Sequence, residues 1–213
     1  MPPETGQVEV GGNFKVAPPR CGMALDRSEL DQRRRAMRTI STLFLVLVLA
    51  IPVFGQLNAG PDNSPKIGEM APDFTIPGAG RGAPSSSLKD FQGKKNVLLM
   101  FFPAAFTPGC TTEFTEAGQN HDKFTALNIE MIGISRDQMG ALNKFKETVG
   151  AKNMFVSDTD AVILPKYDAL GPNRLARRHY FLVDTTGKIV WKSTNVLLPT
   201  DKLLAEVAQA LKK

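Results

Sequence analysis

Cys110 stands where an apolar run gives way to turn residues, in the order Phe102 Pro103 Ala104 Ala105 Phe106 Thr107 Pro108 Gly109 Cys110 Thr111 Thr112 Glu113. The run before it, Asn96 to Phe102, is short and continuously apolar, so it reads as a strand buried on both faces. Thr107 suits an N-cap and Pro108 the first helical position, which puts Cys110 in the first turn of a helix, among backbone N–H groups that have no intrahelical partner. The chemistry such a place favours is that of a thiolate. A free cysteine titrates near pH 8.5 and is mostly protonated at neutrality, so a reactive one needs help. A helix N-terminus offers about 0.3–1 kcal/mol at exposed positions and up to about 2 kcal/mol when partly buried. A cation within about 4–6 Å would be the stronger influence. By default a lone cysteine is an inert buried residue. The Thr-Pro-Gly-Cys helix start argues against that reading here.

Pro103 to Cys110 resembles the Pro-x-x-x-Thr-x-x-Cys active-site signature of the peroxiredoxins. Glu113, three residues on, and Arg178 in Arg178 His179 Tyr180 Phe181 Leu182 Val183 Asp184 fit the same pattern, and the similarity spans roughly residues 67 to 213. The resemblance implies that Cys110 is the peroxide-reducing cysteine and that Arg178, just inside a late strand, is the active-site arginine. Its charge is permanent and its fork can hold both a sulfur and a peroxide oxygen. Glu113 alone would oppose a thiolate, but it makes sense as the partner that orients the arginine. Thr107 would donate a hydroxyl to the incoming peroxide, and Pro103 would shape and dry the pocket. Arg177 is the alternative to Arg178, since adjacent strand residues point to opposite faces and only one can reach the site.

The implied reaction is thiol-dependent reduction of hydrogen peroxide or organic hydroperoxides through a Cys110 sulfenic acid, without cofactor or metal. No cysteine follows Cys110, and Thr115 stands where some relatives carry a resolving one, so the pattern is that of a one-cysteine peroxiredoxin served by an external thiol. The rival reading is a thioredoxin-fold sensing or binding module that oxidises once at Cys110 without sustained turnover. His121 lies eleven residues beyond Cys110, about 16 Å along a helix, too far for a Cys-His dyad. His179 should face away from Arg178, and Trp191 reads as core.

The elements that must position these groups alternate early and form a hairpin late. After an opening strand in residues 67–76, residues 85–93 are turn-like. Strands are predicted at 96–102, 129–135, 153–157, 180–184 and 188–192. Helices are predicted from Cys110 to about Leu127, at 138–149, at 161–170 with a kink at Pro165, and at 201–213. This is an α/β layout, a central mixed sheet with helices on both faces, and is similar to the thioredoxin-like fold.

Whole-chain properties exclude several classes. The net charge of +5 is modest and no dense basic patch with interleaved aromatics occurs, so nucleic acid is not an expected partner. Two cysteines, Cys21 and Cys110, are too few for a disulfide framework or paired C-x-x-C metal knuckles. Arg33 to Arg35, then the twelve-residue apolar stretch Leu43 to Phe54, then Gly55 have the layout of an export signal. That stretch contains Pro52 and is short against the ~20 residues needed to span a bilayer. The expected organisation is therefore an N-terminal extension (1–36, with Met37 a more natural start), a signal peptide or membrane anchor (37–58), a linker (59–66) and a catalytic domain (67–213). Cleavage after Gly55 would export the protein, and retention would hold it on the membrane. The resemblance adds a homodimer as an available assembly, though no segment identifies an interface.

Overall fold

The central strand grows from the apolar run that precedes the cysteine: β3, Asn96–Phe101, is buried along all but its first residue. The computed structural model describes residues 61–78 and 83–212. The predicted export segment and Cys21 lie outside the described residues. Around β3 runs a five-stranded sheet in the order β5-β4-β3-β6-β7, where β4 is Ile129–Ser135, β5 Met154–Ser157, β6 His179–Val183 and β7 Ile189–Thr194. β3 pairs in parallel with β4 and antiparallel with β6, so the sheet is mixed. A two-residue pair, β1 Thr75–Ile76 and β2 Ser86–Ser87, stands apart.

Alternation along the strands divides the interior into two cores. Leu98, Met100, Phe102, Met131, Tyr180 and Leu182 face one side, where they meet Phe114 and Ala117 of α1 (Pro108–Gln119) and Phe124 of α2 (His121–Ala126). Leu142, Phe145 and Val149 of α3 (Met139–Val149) and Leu203 and Val207 of α4 (Thr200–Ala210) complete that layer. Val97, Leu99, Phe101, Ile132, Ile134 and Phe181 face the other side, under Phe74, Leu88 and the 3-10 turn Leu164–Tyr167. Helical elements therefore flank both faces, full α-helices on one and 3-10 turns on the other. The floor beneath the cysteine is aromatic: the Phe102 ring lies 4.8 Å from Phe114 and 6.1 Å from Phe145, centroid to centroid. Gly133 of β4 keeps room for them, since a Cβ there would come within 2.7 Å of the Phe155 ring.

Three elements differ from the sequence reading. The opening strand shrinks to Thr75–Ile76, because residues 68–71 pair instead with the β6–β7 hairpin: Gly68 N–H donates to Ile189 O at 2.8 Å and Ile189 N–H to Glu69 O at 2.9 Å. The helix expected to reach Leu127 breaks at Asn120, whose side-chain amide donates to Glu116 O at 2.9 Å and competes with the backbone for that carbonyl. The helix expected at 161–170 is only the 3-10 turn Leu164–Tyr167. Left-handed Ala161 (φ 54°) and Asp168 (φ 51°) bound it, and the Asp158 carboxylate accepts the N–H groups of Val162, Ile163 and Leu164 at 2.8–3.0 Å.

Candidate active site

The chain leaving β3 is tied down before it turns into α1. Asp137, just past the end of β4, accepts the Ala105 N–H and the Ser135 hydroxyl at 2.8 Å each, anchoring residues 103–107 to the neighbouring strand. Phe106 then takes a left-handed conformation (φ 62°) and lays its half-exposed ring 5.3 Å from Phe145. Thr107 is the N-cap by backbone geometry and Pro108 the first helical residue, as the sequence predicts. The Thr107 hydroxyl does not cap the helix, however. It donates to Ala104 O at 3.0 Å, bracing the loop, and its one proton is therefore engaged.

Cys110 falls in the first turn of α1 and is fully buried. One guanidinium reaches it: Arg178 Nη2 donates to Cys110 Sγ at 3.0 Å, while Arg178 Nη1 pairs with Glu113 Oε2. Glu113, one turn after Cys110, is 4% exposed, and its second oxygen accepts the Tyr180 hydroxyl at 2.5 Å. Burial pushes the Glu113 carboxyl up from its ordinary range, against the opposing pull of Arg178 and the Tyr180 hydroxyl. Burial, reinforced by the adjacent carboxylate, pushes the Tyr180 phenol up in turn, so it remains a proton donor. A fixed cation meets a sulfur set in the first turn of a helix, and a buried carboxylate aims that cation. That arrangement can hold negative charge on sulfur and stabilise charge on an oxygen beside it.

Strand alternation sends the neighbouring arginines to opposite sides of the sheet. Arg178 and Tyr180 share the face of β6 that looks toward α1. Arg177 lies on the opposite side, where its Nη1 stands 3.5 Å from Asp168 Oδ1 and donates to Asp168 O at 3.3 Å. His179 also faces away from the cysteine, buried between Tyr167 O at 3.4 Å and Asn195 Oδ1 at 3.3 Å. Burial pushes its imidazole down from the ordinary 6.5. His121 begins α2 and contacts Asp122 and Thr125. Trp191 packs against the first core. Sequence reasoning thus brings Cys110, Glu113 and Arg178 together and puts Thr107 and Pro103 on the loop that feeds their helix. It misses Tyr180, although a residue two positions after Arg178 on a strand must share its face. Among the described residues, no cluster of three or more His, Cys, Asp and Glu side chains is placed to hold a metal ion.

The AhpC/TSA family profile matches residues 67–192. Peroxiredoxin Bcp of Escherichia coli K12 is 31% identical over 134 residues, covering 60% of this chain and 84% of Bcp. Peroxiredoxin Bcp of Bacillus subtilis 168 is 29% identical over 156 residues, covering 69% of this chain and 95% of its own. Among solved structures, a Cys-to-Ser mutant of Xylella fastidiosa PrxQ is 28% identical with a TM-score of 0.55, covering 62% of this chain and 84% of that one.

Proposed function

The chain belongs to the AhpC/TSA family and is a peroxiredoxin-type thiol peroxidase with a thioredoxin-like fold, and from that premise we propose that Cys110 is the sulfur that meets the peroxide. The observation that carries the assignment is the 3.0 Å hydrogen bond from Arg178 Nη2 to Cys110 Sγ at the head of α1.

In the proposed step the Cys110 thiolate attacks the distal oxygen of a hydroperoxide. The S–O bond forms as the O–O bond breaks, sulfur is oxidised to sulfenic acid, and the departing oxygen takes a proton to leave as water or an alcohol. Arg178 and the first-turn N–H groups carry the charge that develops on that oxygen. Glu113 keeps the guanidinium in register. Thr107 has a role different from the one the sequence suggests: with its proton given to Ala104 O, its oxygen is free to accept the peroxide O–H and orient the molecule. Pro103, on the loop that leads into α1, is assigned the shaping of the pocket.

Reduction back to the thiol falls to an external thiol. The first thiol condenses with the sulfenic acid, releasing water and leaving a mixed disulfide, and a second thiol releases Cys110 as that disulfide exchanges. The absence of any cysteine after Cys110 supports this route. Residues 37–58 we read as an export signal, on the basic run and the short apolar core that follows it, with cleavage after Gly55 releasing the domain outside the cytoplasm. N-terminal sequencing showing residues 1–36 on the mature protein would overturn that reading.

The purified protein is expected to consume hydrogen peroxide with a dithiol or a thioredoxin-type donor, and Cys110→Ser to lose that activity. Equal turnover by the two would rule out Cys110 as the reacting sulfur.

A further inference from the structure

We propose that Tyr180 is a positioning residue of this peroxidase: its hydroxyl fixes the Glu113 carboxylate, and through it the arginine that faces the Cys110 sulfur. This role presupposes that Cys110 is the reacting sulfur. Glu113 is buried, and each of its oxygens has one partner, Arg178 Nη1 on Oε2 and the Tyr180 hydroxyl on Oε1. The other terminal nitrogen of the same guanidinium, Nη2, reaches Cys110 Sγ at 3.0 Å. A carboxylate held at one oxygen turns easily, because the terminal torsion of a glutamate is broad. Held at both oxygens, it cannot. The plane of the guanidinium, which must meet the carboxylate along one edge and the sulfur along another, is therefore set by the phenol as much as by the glutamate.

Tyr180 is well placed for this task. It is fully buried on β6, paired across the sheet with Met100, two residues from Arg178 and on the same face. Its phenolic proton goes to Glu113 Oε1. An ordinary core position in a strand would be served equally well by Phe. The hydroxyl has a partner only because Glu113 is there.

The test is a double-mutant cycle on the full chain, with Tyr180→Phe, Glu113→Gln and both together. The readout is single-turnover oxidation of Cys110 by hydrogen peroxide, followed by mass spectrometry of the trapped sulfenic acid. Tyr180→Phe is expected to slow oxidation about tenfold in the native background, and less than about twofold once Glu113 is Gln, because the effect travels through the carboxylate. The acid limb of the pH–rate profile should also move to higher pH in Tyr180→Phe, since a hydrogen bond that favours the charged carboxylate is gone. The groups facing that carboxylate are Arg178 and Tyr180, from β6 and its approach; Cys110, on the same helix as Glu113, meets it only through Arg178. A native rate in Tyr180→Phe, or equal losses in the two backgrounds, would overturn the assignment.

Removing the hydroxyl leaves a buried carboxylate oxygen unpaired, so a second measurement keeps it. The chain has two tyrosines, Tyr167 and Tyr180. In Tyr167→Phe labelled with 3-fluorotyrosine, the single fluorine resonance should shift when one equivalent of peroxide oxidises Cys110. A resonance indifferent to that oxidation also overturns the assignment. A wild-type chain whose Cys110 resists peroxide altogether would be a different failure, that of the thiol-peroxidase site itself, and would take this proposal with it.

Discussion

At the scale of single residues, the site depends on one guanidinium serving two acceptors at once. Lysine in its place would keep the charge but not the fork, so it could approach the sulfur or the carboxylate without bridging them. Arg178→Lys is expected to lower the second-order rate constant for peroxide by about 10- to 100-fold, and Arg178→Gln by about 10²–10³-fold, the usual loss when a donor to developing charge is removed. Arg177→Gln, whose guanidinium pairs with Asp168 on the opposite side of the sheet, should stay within about twofold of the native rate. Stopped-flow measurement of the three variants checks this, and an equal loss in Arg177→Gln would mean that the assigned faces of β6 are reversed. Much of this site is legible in sequence. The Pro-x-x-x-Thr-x-x-Cys spacing fixes the loop and helix start, and strand alternation separates Arg178 from Arg177. Tyr180 is not legible, because a tyrosine in an apolar strand looks like core until the partner of its hydroxyl is known. That partner, Glu113, lies 67 residues away in the chain.

At the scale of elements, two aspartates of similar local chemistry serve different purposes. Asp137 takes the Ala105 N–H and so holds the loop that delivers the cysteine. Asp158 takes three N–H groups beneath the second core and so shapes the 3-10 turn Leu164–Tyr167. Replacing either by alanine strands buried or half-buried donors, and each variant should lose about 1–3 kcal/mol in urea denaturation. Only Asp137→Ala should also slow peroxide reduction, by about tenfold, because small displacements of a reacting group are costly. Equal slowing in Asp158→Ala would show that loss of stability, and not loop placement, governs the rate. The same aspartates mark where reading from sequence stops. The strands at 129–135 and 154–157 follow from apolar runs that need burial on both faces, and their limits agree with the sequence to within a residue. The segment 161–170 has helical spacing too, but the Asp158 side chain caps its backbone from four to six residues upstream and the left-handed Ala161 and Asp168 close it. No periodicity argument sees a side chain competing for the backbone.

At the scale of the whole molecule, the sheet separates the chemistry on one face from a buried histidine on the other, and that separation has a consequence for stability. His179 is buried beside Phe181 on the side of the sheet away from the cysteine, with its imidazole pushed down by burial, so the folded state resists protonation more than the unfolded chain does. A group lowered in this way contributes its full stabilisation above its unfolded value, near 6.5, and loses it as pH falls through the lower folded value. Glu113 has the opposite sign. Its raised carboxyl holds a proton more tightly in the folded state, so its protonation offsets part of the loss at lower pH. Asp62, held near pKa about 2 by Lys192 and Ser64, adds a separate loss only below the ordinary carboxylate range. The first decline on acidification from pH 7 is therefore assigned to His179. The melting temperature of the native protein should fall as pH drops below about 6.5. In His179→Gln, which cannot gain a charge, the fall should be markedly shallower in that interval while the steep loss at strongly acid pH remains. Calorimetry of the two proteins across pH 4–8 decides the matter: parallel curves would mean that the titrating group lies elsewhere and that the fold is indifferent to the charge of this histidine.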